Sequence, residues 1–122
     1  MKLTEKAVLT AQTQVALQNL AGRFCVYLLH FTEPLSQAKG KQVGHYIGLT
    51  NNVARRLGVH ARGTGNGLVK AAMTRGKVVV VRLWEQDGHF ERKLKKRKNA
   101  RRLCPICRQK DGLKPTAKLQ EK

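Results

Sequence analysis

Two tyrosines lie in the middle of short apolar runs, Tyr27 within RFCVYLLHF (23–31) and Tyr46 within GHYIGL (44–49). A phenol has a pKa near 10, so beside a base or a cation it can pass a proton, and beside an anion it can donate a hydrogen bond. Arg56 and His60 follow four residues apart. On a helix that spacing stacks them one turn above the other, a guanidinium shaped for two oxygens of a phosphate next to an imidazole that can move a proton. Between Glu33 and Asp111 the acids are Glu85, Asp87 and Glu91, and only Glu91 falls inside a helical pattern. Each residue also has a plainer reading: Arg56 as a surface cation, His60 as a hydrogen-bonded boundary histidine, Glu91 as the ion-pair partner of Lys95.

These side chains can act together only if the chain brings them together. The two tyrosine runs are rich in aromatic and β-branched residues and flank a polar stretch holding Pro34 and Gly40, the pattern of a hairpin joined by a long loop from Thr32 to Val43. Paired strands can hold two phenols on one sheet face. Thr50, Asn51 or Asn52 can cap a helix in which Val53, Leu57 and Ala61 repeat every four residues, with Arg56 and His60 beside that stripe. The segment 63–67 (GTGNG) lacks the Gly-Lys-Ser/Thr ending of a phosphate loop and reads as a connector to a short helix over 68–74. The run 77–85 (KVVVVRLWE) predicts a third strand, and Asp87-Gly88 a turn into a helix carrying Phe90, Glu91 and Leu94. Residues 4–20 lack Gly and Pro and predict an N-terminal helix over the segment 1–22; residues 104–122 predict a CxxC pair followed by a disordered basic tail. The expected fold is α/β (α+β), a three-stranded, mostly antiparallel sheet flanked by helices.

The second tyrosine tripeptide is Tyr46-Ile47-Gly48, and the first is Cys25-Val26-Tyr27; the segment from Asn51 to Leu57 (NNVARRL) with His60, and then Glu91 with Leu94-Lys95, follow in order. In these elements, over residues 23–103, the chain resembles the GIY-YIG nuclease family, with Cys25 and Val26 standing where glycine and isoleucine are usual. The resemblance implies the family's fold and a metal-dependent DNA endonuclease with a single active site. Tyr27, Tyr46, Arg56 and His60 would be its catalytic residues, and Glu91 would hold one Mg²⁺ or Mn²⁺. Asn99 is an additional candidate in the same segment. Some relatives have a lysine or small polar residue after the YIG glycine; Leu49 stands there, which shifts weight to His60 as proton acceptor. Either tyrosine can be the base, the other contacting phosphate or water. The alternative, from a different class, is a non-catalytic basic nucleic-acid-binding protein that retains the fold.

Charge points the same way. The chain of 122 residues has 25 Lys and Arg against 7 Asp and Glu, a formal net charge of +18. Solubility alone needs a net charge of only about 2 to 8, so this excess implies a polyanionic partner such as nucleic acid, which the resemblance makes DNA, duplex or branched. Eight of the eleven residues from Arg92 to Arg102 are basic, and Lys93, Lys95, Lys96, Arg97, Lys98, Arg101 and Arg102, joined by Arg55, form the expected DNA-binding face. No run is long and apolar enough to span a bilayer, and no secretory leader is recognisable, so no membrane partner and a cytoplasmic location are expected. Three cysteines do not suit a secreted disulfide framework. Cys104-Pro105-Ile106-Cys107 is half of a four-ligand zinc site. Cys25 is expected in the sheet and His89 lies fifteen residues back, so no second half is visible and zinc at Cys104 and Cys107 ranks below a pair of reduced thiols.

Overall fold

The computed structural model describes residues 7–9, 23–36, 42–62, 67–98 and 100–110. Strands β1 (Ala7–Leu9), β2 (Cys25–Ser36), β3 (Gln42–Thr50) and β4 (Val78–Trp84) form one sheet in the order β1-β4-β2-β3. The helices are α1 (Val53–Ala61), α2 (Gly67–Arg75), α3 (Gly88–Arg97), α4 (Ala100–Leu103) and α5 (Pro105–Lys110).

Strand β2 is central, antiparallel to both β3 and β4, and covered on both faces. That double burial explains why 25–31 reads as a continuous apolar run rather than an alternating one. Cys25, Tyr27, Leu29 and Phe31 pack with Val53 and Leu57 of α1 and Val69, Ala72 and Met73 of α2. Val26 and Leu28 point the other way, to Val81, Trp84, Phe90 and Leu94, with Cys104 and Cys107 in the same cluster. The two apolar layers therefore put α1 and α2 on one face of the sheet and α3 to α5 on the other.

The three antiparallel strands are those expected from sequence, and a fourth strand joins them. The N-terminal helix expected over 4–20 is not formed at Ala7–Leu9, which pair parallel with Val78–Val80 as β1. A row of backbone N–H and C=O groups on the outer edge of β4 offers partners that a helix would leave unpaired, and this outweighs the helical propensity of Ala7 and Leu9. The rest of that predicted helix lies outside the described residues. The hairpin is longer than expected: after a bulge, Leu35 pairs with Val43 and Ser36 with Gln42. The predicted loop from Thr32 to Val43 thus shrinks to 37–41, which, with Lys39 and Lys41, lies outside the described residues. Arg108 to Lys110, expected in a polar tail, belong to α5 instead.

Local chemistry sets the helix starts. Asn52 Oδ1 accepts from the Arg55 backbone N–H at 3.1 Å, and Asp87 Oδ1 from those of His89 and Phe90 at 3.0 and 3.3 Å. Helix α3 ends at Lys98 in the left-handed conformation, with φ 53°. Among the described residues no helix is long and apolar enough to cross a membrane.

Candidate active site

Register decides where the phenols meet. Tyr27 pairs across β2–β3 with Gly48, and Tyr46 with Leu29, so the two tyrosines are diagonal neighbours on one face and their ring centroids stand 6.2 Å apart. Gly48 is what permits this. A Cβ at that position would come within 2.7 Å of Tyr27 Cε1 and closer still to Cζ and Oη, so any larger residue would occupy the space of the phenol. The YIG glycine is therefore the floor on which the Tyr27 ring lies.

Helix α1 supplies the other two groups. His60 reaches back over the sheet, and its Nε2 shares a 2.8 Å hydrogen bond with Tyr27 Oη. Its ring centroid is 5.6 Å from that of Tyr27 and 5.9 Å from that of Tyr46, edge-on to both. One turn earlier, half-buried Arg56 sits beside both phenol oxygens, which hold its guanidinium above the ordinary arginine pKa. Arg56 Nε and His60 Nδ1 are buried and have no hydrogen-bond partner among the described residues. A pocket of about 210 Å³ opens beside Arg56, lined by Thr50, Asn51, Asn52, Arg55 and Val59. It borders the guanidinium and leaves the phenols outside it.

Burial fixes the protonation states. Loss of water pushes the Tyr27 hydroxyl up to about 12, with Arg56 opposing the shift and Tyr46 and Glu91 adding to it. Burial, helped by the positive charge of Arg56, lowers His60 to about 4. At neutral pH the pair is an un-ionised phenol hydrogen-bonded to an un-ionised imidazole.

Glu91 belongs to α3, on the opposite face of the sheet, yet its charge is felt at Tyr27, so it stands near the rim where β3 is the edge strand. Its side chain is 18% exposed and pairs with Lys95 at 3.1 Å, the ion pair weighed as the plainer reading of this residue. Lys95 Nζ in turn lies 5.9 Å from the centre of the Tyr46 ring, which ties this end of α3 to the phenol face. The neighbouring acids are engaged elsewhere: Glu85 pairs with Arg23 at 2.7 Å and Asp87 caps α3.

Arg55, Lys93, Lys95, Lys96, Arg97, Lys98, Arg101 and Arg102 are all exposed, while Phe90 and Leu94 anchor the inner side of α3. The basic run is thus a solvent-facing surface held by two apolar anchors. Asn99 lies outside the described residues. Tyr27, Tyr46, Arg56 and His60 come together, and Glu91 approaches them from the far side of β3.

Reading by sequence missed two histidines. His30 on β2 and His45 on β3 are direct cross-strand partners, and they meet Cys104 and Cys107 in one buried group. The hairpin itself thus places two further candidate metal ligands beside the two cysteines. The signal was present as one histidine in each tyrosine run, but only the strand register shows that they coincide.

A hairpin that lays one phenol across a glycine, followed by a helix that returns a guanidinium and an imidazole, defines an α+β domain of the GIY-YIG nuclease fold. The family model of the GIY-YIG catalytic domain matches residues 23–103, and the chain belongs to that family, part of an endonuclease superfamily. No match was found among the curated proteins or the solved structures.

Proposed function

We propose that this protein is a metal-dependent endonuclease that hydrolyses phosphodiester bonds in DNA. The observation that carries the reading is the buried Tyr27–His60 hydrogen bond beside Arg56, in a chain of the GIY-YIG family.

Hydrolysis requires a positioned water, an acceptor for its proton, positive charge near the pentavalent phosphorus and stabilisation of the leaving oxygen. With its hydroxyl pushed up to about 12, Tyr27 is a phenolate in only roughly one molecule in 10⁵ at pH 7, so the phenolate is a poor candidate for the resting base. The hydrogen bond offers another route. As Tyr27 Oη takes the proton of the attacking water, it passes its own proton to His60 Nε2, which requires the tautomer with hydrogen on Nδ1. Tyr27 stays neutral throughout. Positive charge develops on His60, and the negative charge of a docked phosphate offsets it. Arg56 binds the phosphate oxygens and Tyr46 donates to them or to the water.

Glu91 fits a hard divalent cation. It is a half-buried carboxylate near Tyr27 whose ion-pair partner among the described residues is Lys95, and a single carboxylate suits Mg²⁺ or Mn²⁺, which keeps most of its waters. Such an ion would supply Lewis-acid stabilisation of the leaving oxygen. The exposed cations of α3 and α4 would follow the DNA backbone.

The second reading, a DNA-binding protein without catalysis, rests on the Glu91–Lys95 ion pair, which gives the carboxylate a partner without any metal. Incubation with supercoiled, linear, flap and branched DNA in Mg²⁺, Mn²⁺ or EDTA separates the two. The endonuclease reading predicts metal-dependent cleavage that Glu91→Ala abolishes while DNA binding is kept or tightened. Binding without cleavage of any of these DNAs in either metal supports the second reading.

A further inference from the structure

We propose that His30 Nδ1, His45 Nε2, Cys104 Sγ and Cys107 Sγ bind one Zn²⁺, which clasps the back of the tyrosine hairpin to the C-terminal helices. The four ligand atoms lie within 4.8 Å of one another, and nothing in the proposal depends on the nuclease reading.

Geometry carries the argument. Ligands at about 2.3 Å (sulfur) and about 2.05 Å (nitrogen) from a tetrahedral zinc stand about 3.4 Å apart for N···N, about 3.6 Å for N···S and about 3.8 Å for S···S. Observed separations are 3.4 Å for His30 Nδ1 to His45 Nε2, 3.4 and 3.6 Å from His30 Nδ1 to Cys104 and Cys107 Sγ, and 3.5 Å from His45 Nε2 to Cys107 Sγ. All four fall within about 0.2 Å of the edges of a zinc tetrahedron. Hydrogen bonding does not explain them, because His30 Nδ1 is in range of three partners at once. A ring nitrogen has a single hydrogen or a single lone pair to offer. A shared central cation satisfies all four atoms.

Chemistry selects the ion. Two thiolates and two imidazoles form the S₂N₂ set that suits zinc and that Mg²⁺ avoids. A two-iron cluster with the same ligand types would place its cysteines and histidines on separate irons, farther apart than these atoms stand. Two thiolates cancel the charge of Zn²⁺, so the finished centre is neutral and can be buried at little cost, as this one is: Cys104 is 0% and Cys107 3% exposed. Binding releases the thiol protons to solvent.

The ligands also explain local structure. Each histidine comes from one strand of the hairpin, at directly opposed positions, and the cysteines bracket the start of α5. Zinc would thereby fix α4 and α5, and the basic run that leads into them, to the face of the sheet opposite Tyr27.

The test uses the full chain purified without a polyhistidine tag. Elemental analysis should find about one zinc per chain, and X-ray absorption should show two sulfur neighbours at about 2.3 Å and two nitrogen neighbours at about 2.05 Å. Cobalt substitution should give the thiolate charge-transfer band of a tetrahedral S₂N₂ site. His45→Gln and Cys107→Ser should each lose most of the metal and lower the melting temperature; should either fail to fold, the absorption spectrum of the native protein decides alone. A folded native protein with well under about 0.2 zinc per chain that takes up none on addition overturns the proposal. So does a metal shell of oxygen and nitrogen only, or a Cys104–Cys107 disulfide in the protein prepared under reducing conditions.

Discussion

Gly48→Ala tests the arrangement of the phenols without removing any polar group. The added methyl would stand 2.7 Å from Tyr27 Cε1, whereas carbon atoms in contact settle at about 3.5 to 4.0 Å, so the ring must withdraw by roughly 1 Å. A shift of that size stretches the 2.8 Å bond from Tyr27 Oη to His60 Nε2 beyond hydrogen-bonding range. Overpacking of this kind costs about 1–3 kcal/mol, and for a domain of this size each kcal/mol lowers Tm by roughly 4 °C. The loss should therefore be about 4–12 °C by calorimetry, and cleavage should slow by about 10²-fold if the displaced phenol is the proton carrier. A double-mutant cycle with Tyr27→Leu, which keeps apolar bulk and removes the ring, isolates the cause. In that background Gly48→Ala should be nearly neutral. A coupling below about 0.5 kcal/mol, or an unchanged His60 ring spectrum in Gly48→Ala, would show that Gly48 does not set the position of the Tyr27 ring.

Replacing Lys93, Lys96 and Arg97 together with Ala removes three exposed cations that take no part in the Glu91–Lys95 pair, and should reduce the slope of log affinity against log salt by about 3 on duplex DNA. Titration by fluorescence anisotropy at several salt concentrations checks this, and an unchanged slope places the DNA elsewhere. His60 should titrate near pH 4 by NMR, against an ordinary value of 6.5. Because the unfolded chain binds this proton more readily than the folded one, the stability His60 contributes is present above about pH 6.5 and lost as pH falls toward 4. The loss is at most about 3 kcal/mol, and His60→Gln should remove that part of the pH dependence in urea unfolding. Cleavage through a neutral Tyr27–His60 pair should show no tenfold rise per pH unit between pH 6 and pH 9, the slope that a resting phenolate base would impose.

Much of the fold was legible because it rests on local pattern. Strand β4 is four valines, then Arg82, Leu83 and Trp84; Asn52 was one of three capping candidates for α1, and the expected turn at Asp87-Gly88 is where Asp87 caps α3. The family elements placed Tyr27, Tyr46, Arg56 and His60 before any register was known, and the structure brings those four together. What could not be read depends on long-range pairing. Ala7–Leu9 carry a pattern as compatible with a helix as with a strand, and only the open edge of β4 decides between them. In sequence His30 and His45 are ordinary members of two apolar strands, and only the register sets them opposite each other and beside Cys104 and Cys107 at the start of α5. The role of Gly48 was equally hidden, since a glycine in a strand signals close approach without saying of what.

In the proposed mechanism Tyr27 carries the proton of the attacking water to His60 in a metal-dependent cut. Its most direct test is the single-turnover rate of DNA cleavage by the native protein and by Tyr27→Phe, in saturating Mg²⁺ or Mn²⁺, on whichever DNA of the panel is cut. The variant lacks one hydroxyl and keeps the ring that packs on Gly48, so it should fold and bind DNA as the native protein does. A proton carried by the Tyr27 hydroxyl predicts a rate lower by about 10²-fold or more, the usual contribution of general-base catalysis. Cleavage by Tyr27→Phe within a few-fold of the native rate would contradict it.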